Sequence, residues 1–203
     1  MSPTPPQAPR GRPRSFDRTA ALDAAMRVFW QKGYTAASMT DLCEAMGIGS
    51  PSLYAAFGSK EQLYAEALRH YAEIGGTQLF QALESAPTAR EGIAAFLRFS
   101  ARSLACPERP LGCMVVLSAV ASEGVTGLAE LVLEERRQSL HKVQARLQRG
   151  IAEGDLPAKT DVKTLARFFV TVQQGMSIQA RDGATPEELE AVALTALKAG
   201  PWG

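Results

Sequence analysis

The chain has 203 residues, 46% of them hydrophobic, and 22 Lys/Arg set against 21 Asp/Glu leave a net charge of +1. That is the composition of an ordinary globular protein of one or two domains. No apolar run nears the roughly 18–20 residues of a membrane span, so no membrane partner is expected, and three cysteines with no secretory-type N-terminus predict a reducing, cytoplasmic setting.

The charge is unevenly placed. Residues 1–60 carry seven Lys/Arg against four Asp/Glu, a balance of +3, which leaves −2 for residues 61–203. A basic head on a slightly acidic body fits a head that meets an anion. Residues 1–14 hold five prolines and no apolar periodicity, and read as a disordered basic arm.

Helices follow. Phe16, Ala20, Leu22, Ala25, Met26, Phe29 and Trp30 recur at three-and-four spacing, which predicts an amphipathic helix ending near Gly33. Ser38-Met39-Thr40-Asp41 has capping-box spacing and opens a second helix that buries Leu42, Ala45 and Met46 and stops at Gly47. Ser50 is the expected N-cap of a short third helix, with Pro51 at its first position, where a missing N–H costs nothing. Ser59 starts a fourth through about residue 84, and Thr88 a fifth carrying Ile93, Phe96, Leu97 and Leu104. Leu111 to about Ser122 is a short apolar segment. Residues 126–153 form a long helix with a charged face, Thr160 to Arg181 another, and Thr185-Pro186-Glu187-Glu188 starts a last one through Ala199. No period-2 strand pattern interrupts them. The expected fold is all-α, about nine helices, with a three-helix unit over 15–60 and a larger body over 61–203.

The stretch GIGSPSLYAAFGSK, residues 47–60, carries the functional signal. Only Leu53 and Phe57, four apart, look like core positions of its short helix. The other face is Ser50, Ser52, Tyr54, Ala55 and Ala56. A helix this short cannot stand alone, so Leu53 and Phe57 must pack back onto Leu42, Met46 and the first helix. A helix ending at Gly47, a three-residue turn and a helix from Pro51 form a helix-turn-helix, whose second helix lies in the major groove of DNA. Small side chains permit close approach, hydroxyls bond phosphates or bases, and alanine methyls can touch thymine methyls. Tyr54 and Lys60 can reach phosphates from the flank. The competing reading is a tight helical corner with a solvated face.

From Arg12 to about Tyr71 the chain resembles the DNA-binding region of TetR-family transcription regulators. The likeness rests on the aromatic pair before Gly33-Tyr34, then Ser38-Met39-Thr40, Ala45-x-Gly47-Ile48, Ser52-Leu53-Tyr54-x-x-Phe57 and Lys60-Glu61-x-Leu63. The resemblance implies a homodimer reading a palindromic operator in double-stranded DNA, and a body that releases DNA when a small-molecule effector binds. It makes the protein a regulator, by family habit a repressor, and not an enzyme. It places DNA contacts on Ser38, Met39, Thr40, on Ser50, Pro51, Ser52, Tyr54, Ala55 and Ala56, and on Lys60. The chain departs from the family at Ala55 and Ala56, where relatives often carry an aromatic and a histidine.

The arm Arg10-Gly11-Arg12-Pro13-Arg14 is like the hooks that insert arginines into a narrow minor groove. In the body, Phe80, Phe96, Phe99, Cys113, Met114, Leu117, Phe168, Phe169, Gln173 and Met176 fall on helices that surround the effector cavity in the family. Their apolar character predicts a lipophilic effector, with Arg98, Arg102 and Gln173 as polar handles. Dimerisation in the family uses the last two helices, here residues 160–199. Gly175 and Ala180 would allow close approach, and Leu189, Val192 and Leu197 would fill the seam. Gly112-Cys113 resembles an element at the start of the sixth helix in some members, where one electrophile-sensing relative uses its cysteine. Cys106 is then a candidate resolving thiol, and the other reading of Cys113 is a small buried hydrophobe.

An enzyme reading finds no support in site constellations. His70 and His141 are far apart, and neither a Cys/His metal cluster nor a phosphate-cradling glycine loop occurs, so no metal and no cofactor are expected. A helical enzyme or lipid-binding protein without DNA function is the alternative.

Overall fold

The computed structural model describes residues 16–118, 124 and 126–202, and among them every regular element is a helix. The order is α1 (Arg18–Lys32), α2 (Met39–Met46), α3 (Ser50–Phe57), α4 (Lys60–Ser85), α5 (Ala89–Leu104), α6 (Met114–Leu117), α7 (Thr126–Glu153), α8 (Val162–Arg181) and α9 (Pro186–Leu197). Among the described residues no helix is long and apolar enough to cross a membrane. The arm carrying Arg10, Arg12 and Arg14 lies outside the described residues.

The caps explain most boundaries. Ser38, Thr88 and Thr185 each accept a hydrogen bond from the backbone N–H three residues on, while the acidic residue at that position bonds back to the cap N–H. Asp17, Ser59 and Asp161 cap α1, α4 and α8 through side-chain oxygens. Two expectations shift. The N-cap of α3 is Gly49, not Ser50, which instead occupies the first helical position with its hydroxyl 3.4 Å from Cys43 Sγ. Helix α6 is only four residues long: Gly112 at φ 77° and an extended Cys113 hold the chain out of helix until Met114, and residues 119–123 lie outside the described set.

Two apolar clusters divide the fold. The first joins α1, α2, α3 and the first turns of α4 through Phe29, Trp30, Leu42, Met46, Leu53, Phe57, Leu63 and Leu68, and takes in Met114 of α6 and Leu128 of α7. Leu53 and Phe57 are buried there as expected, each contributing about 1.5–3 kcal/mol relative to exposure. Ala45 departs from expectation and is exposed, since α2 presents only Leu42 and Met46 inward. The second cluster unites the rest of α4 with α5, α7, α8 and α9. Helix α4 thus spans both, and α6 packs its buried residues against the first cluster while Gly112-Cys113 just before it is fastened to α8. There the Cys113 N–H donates to Ser177 Oγ at 2.8 Å, and a Cβ on Gly112 would meet the Ser177 carbonyl at 2.8 Å.

Candidate DNA interface and ligand cavity

Helix α2 ends at Gly47 in the left-handed conformation (φ 65°, ψ 26°), whose N–H satisfies the carbonyls of Cys43 and Glu44. Residues 47–49 turn the chain into α3. The start of α3 has no side-chain cap, so backbone N–H groups and the helix dipole there are directed outward, an arrangement that favours anions. Ser50, Pro51, Ser52, Tyr54 and Ala55 are exposed, Tyr54 at 49%, and Ala56 is half-buried. On α2, Ser38 and Thr40 are exposed and Met39 half-buried. Ser38 is already engaged: its hydroxyl donates to Asp41 Oδ2 at 2.8 Å and accepts from the Asp41 N–H at 3.0 Å. Lys60 Nζ lies 4.5 Å from the centroid of the Tyr34 ring, at the edge of the same face.

Two contacts invisible to periodicity hold this surface in place. Arg18 reaches from α1 to the Ala56 carbonyl (3.3 Å) and Glu66 (2.7 Å), with its guanidinium 4.4 Å from the Phe57 ring centre. It therefore ties α3 between α1 and α4. Lys32 pairs with Asp41 at 2.7 Å. That ammonium, then the backbone N–H and hydroxyl of Ser38, hold the Asp41 carboxyl down to about 2 from 3.8. A depressed carboxylate stabilises above its ordinary value of 3.8, and the contribution is lost as pH falls toward about 2, so the start of α2 is intact at neutral pH.

A cavity of about 660 Å³ opens between α1, α4, α5, α7 and α8, within the size range of small-molecule sites. Phe80, Phe96, Phe99, Cys113 and Gln173 line it, as expected from the sequence. The other five expected residues lie elsewhere. Phe169 is fully buried and stacks on Trp202 at 5.9 Å, and Met176 is core. Phe168, the neighbour of Phe169, points to the outside of α8. Met114 packs with the first cluster, and Leu117 lies within contact of Gly112. The anticipated handles Arg98 and Arg102 face away and reach Glu190 of α9 at 3.8 and 3.4 Å. In their place the cavity wall holds Trp30, Ser100, Ser103 and Arg109, none of which was expected there. Cys106 is half-buried outside the lining. Burial, and after it the adjoining Cys113 thiol, push the Tyr71 phenol well above its ordinary range, so Tyr71 stays protonated beside that thiol.

A helix-turn-helix with an exposed second helix, joined by a shared helix to a cavity-bearing body, defines a class of DNA-binding regulator. The chain matches the family described as "Bacterial regulatory proteins, tetR family" over residues 21–67, and "Tetracyclin repressor-like, C-terminal domain" over residues 89–196. It belongs to the TetR family of transcriptional regulators. It is 38% identical to the HTH-type transcriptional repressor ComR of Escherichia coli K12, covering 95% of this chain and 92% of that one. It is 32% identical to the repressor BdcR of the same organism, over 93% of this chain and 91% of the relative. Among solved structures it resembles a cysteine mutant of the TetR-family regulator CifR in complex with a 26 bp double-strand operator. There identity is 47%, the TM-score 0.89, and coverage 94% of this chain and 100% of that chain.

Proposed function

We propose that the protein is a transcriptional repressor that binds a palindromic operator as a homodimer in the bacterial cytoplasm and leaves it when a small lipophilic effector fills the cavity. The observation that carries this reading is the exposed Ser50–Ala56 face of α3, held by α1 and α4. Residues 15–60 form the reader, closed by the first turns of α4, and residues 61–203 bind effector and partner. The arm residues Arg10, Arg12 and Arg14 add minor-groove contacts. Ser52, with Ser50 beside it, faces bases, while Tyr54 and Lys60 hold phosphates. The ComR and BdcR names and the operator complex of CifR support the repressor assignment.

Selection of bound duplexes from random DNA is expected to yield a palindrome, matching the two-fold symmetry of the dimer. On that site and on scrambled duplex, fluorescence anisotropy across a salt series separates the roles. Lys60→Ala should weaken both duplexes alike and lower the salt slope by about one, because one counterion fewer is released. Tyr54→Phe should weaken binding with the slope unchanged. Ser52→Ala should cost about 1–3 kcal/mol on the operator beyond its effect on scrambled DNA. Identical behaviour of Ser52→Ala and Lys60→Ala on both duplexes would show the face assignment to be wrong.

The placement of Cys113 on the cavity wall beside Tyr71 favours a second mode of effector action, covalent capture of an electrophile. A brief maleimide treatment should then reduce operator binding by the native protein and spare Cys113→Ser. Equal loss in both, or in neither, removes Cys113 from sensing.

A further inference from the structure

The cavity holds a cluster of unmet hydrogen-bond donors. Trp30 Nε1, Ser100 Oγ and Arg109 Nε are all buried atoms with no hydrogen-bond partner, and all three residues line the same space. Ser100 is 2% and Trp30 5% exposed, so bulk water does not serve them. A buried donor without a partner is costly, and three such groups on residues that line one void mark a site where a ligand's acceptors would be met by small side-chain movements. They are one constellation by geometry as well. Arg109 donates through Nη2 to Ser103 Oγ, one helical turn beyond Ser100, and its guanidinium carbon lies 5.9 Å from the centre of the Trp30 ring.

The charge of the site points the same way. No ion pair of Arg109 occurs among the described residues. The cavity wall carries five cations (Arg27, Arg69, Arg109, Arg136, Lys142) against four carboxylates (Asp23, Glu73, Glu134, Glu135), a balance of +1. Arg136 is consumed by the carbonyls of Val115, Val116 and Ser118, and Arg27 by Asp23. Lys142 sits over the Phe80 ring at 4.2 Å. Beyond the donor cluster the wall turns apolar, with Phe80 stacked on Phe96 at 6.1 Å and Phe99 beside them.

We propose that the effector is an amphipathic monocarboxylate, its carboxylate taken by Arg109, Ser100 and Trp30 and its apolar tail laid along Phe80, Phe96 and Phe99. This rests on the ligand-gated reading above and names the ligand's chemistry. A carboxylate supplies only acceptors and one negative charge, which suits donors without partners beside an arginine that has no ion pair among the described residues. Trp30 belongs to α1 of the reader, and its backbone carbonyl accepts from Arg181 of α8 at 2.9 Å. The head of the ligand therefore touches the reader unit directly, at a point already tied to the far end of the body.

The test uses the full chain and three eight-carbon probes, octanoate, 1-octanol and octylamine, followed by calorimetric titration and thermal melting. Octanoate should bind saturably and raise the melting temperature with dose, with 1-octanol at least about tenfold weaker, as loss of a charge-assisted bond implies, and octylamine weaker again. Arg109→Gln should lower octanoate affinity about tenfold or more and leave 1-octanol unchanged. Ser100→Ala keeps the proposal testable if Arg109→Gln fails to fold. It should melt higher without ligand, by about 2–4 °C, because an unmet buried hydroxyl is gone, yet bind octanoate more weakly. Equal binding of octanoate and 1-octanol, octanoate affinity unchanged in both variants, or no saturable octanoate binding would overturn the assignment. If a palindromic duplex is bound while octanoate is not, the ligand assignment fails and the regulator reading stands. If octanoate binds through Arg109 and no duplex does, the regulator reading fails and the ligand assignment stands.

Discussion

Replacing Arg146 by Met is expected to destabilise the fold by about 3 kcal/mol, because it removes one partner from a buried charge cluster. The Arg146 side chain is 0% exposed, which for a guanidinium demands compensation from its surroundings. Those surroundings are the Ala86 carbonyl at 3.2 Å, Asp155 at 3.9 Å and Glu153 at 3.6 Å. Asp155 is in turn committed to the start of α5, where its Oδ2 accepts the Ala89 N–H. Without Arg146 that carboxylate keeps its place below the surface with no cation beside it. Compensation is incomplete even in the native protein, since Arg146 Nε and Nη1 and Asp155 Oδ1 have no hydrogen-bond partner. Burial accordingly pushes the guanidinium's pKa below its ordinary value, although it stays charged at any working pH. Urea unfolding of Arg146→Met, Asp155→Ala and the double variant gives the coupling. The double variant should cost clearly less than the sum of the two. A single-variant cost under about 1 kcal/mol would show that the cluster does not hold α4, α5 and α7 together.

What could be read from the sequence follows the range of the interaction involved. The capping boxes at Ser38, Thr88 and Thr185 are complete within four residues, so their helices begin where the sequence places them. The exposed face of α3 was legible for a similar reason, since two core residues four apart leave the remainder outside. Phe168 and Phe169 show where periodicity stops. They are adjacent on α8, so only one can face the core: it is Phe169, in register with Ala166, Val170 and Met176, and Trp202 from the far end of the chain stacks on it. Arg109 was legible only as the cation nearest Cys113 in sequence; its place on the cavity wall was not, because CPERPLG reads as a polar loop and nothing local says that it folds back over Trp30 on α1. Trp30 itself reads as core in a helical wheel, which is correct for its ring and silent about its unpaired N–H. The short α6 has the same origin, because Gly112 lies where a Cβ would strike the Ser177 carbonyl and the Cys113 N–H is bonded to Ser177 Oγ, both long-range relations to α8.

Val192→Asp is expected to convert the dimer to monomers. The proposed interface is the outer surface of α8 and α9, where Gly175 and Val192 of the residues put forward from the sequence remain open to a partner and the other three do not. Leu189 and Ala180 are buried in the protomer's own core and Leu197 packs against that core, so they are not open to a partner. Large apolar side chains left outward are Phe168 and Ile178 on α8 and Val192 and Leu194 on α9, with Val192 46% exposed. Gly175 lies on the exposed side of α8 with no atom within 4 Å of where a Cβ would stand, which leaves room for a close helix crossing. In a two-fold interface the same patch meets itself, so one substitution places two carboxylates in the seam. Each is an unpaired charge in an apolar contact, and together they should cost several kcal/mol of association. The protomer fold should be untouched, because Val192 is outside its core. Sedimentation should therefore show monomers whose helical content matches the native protein's and whose melting no longer depends on protein concentration, and operator affinity should fall with the loss of the second half-site. A Val192→Asp protein that stays fully dimeric would place the interface on another face and remove α9 from it.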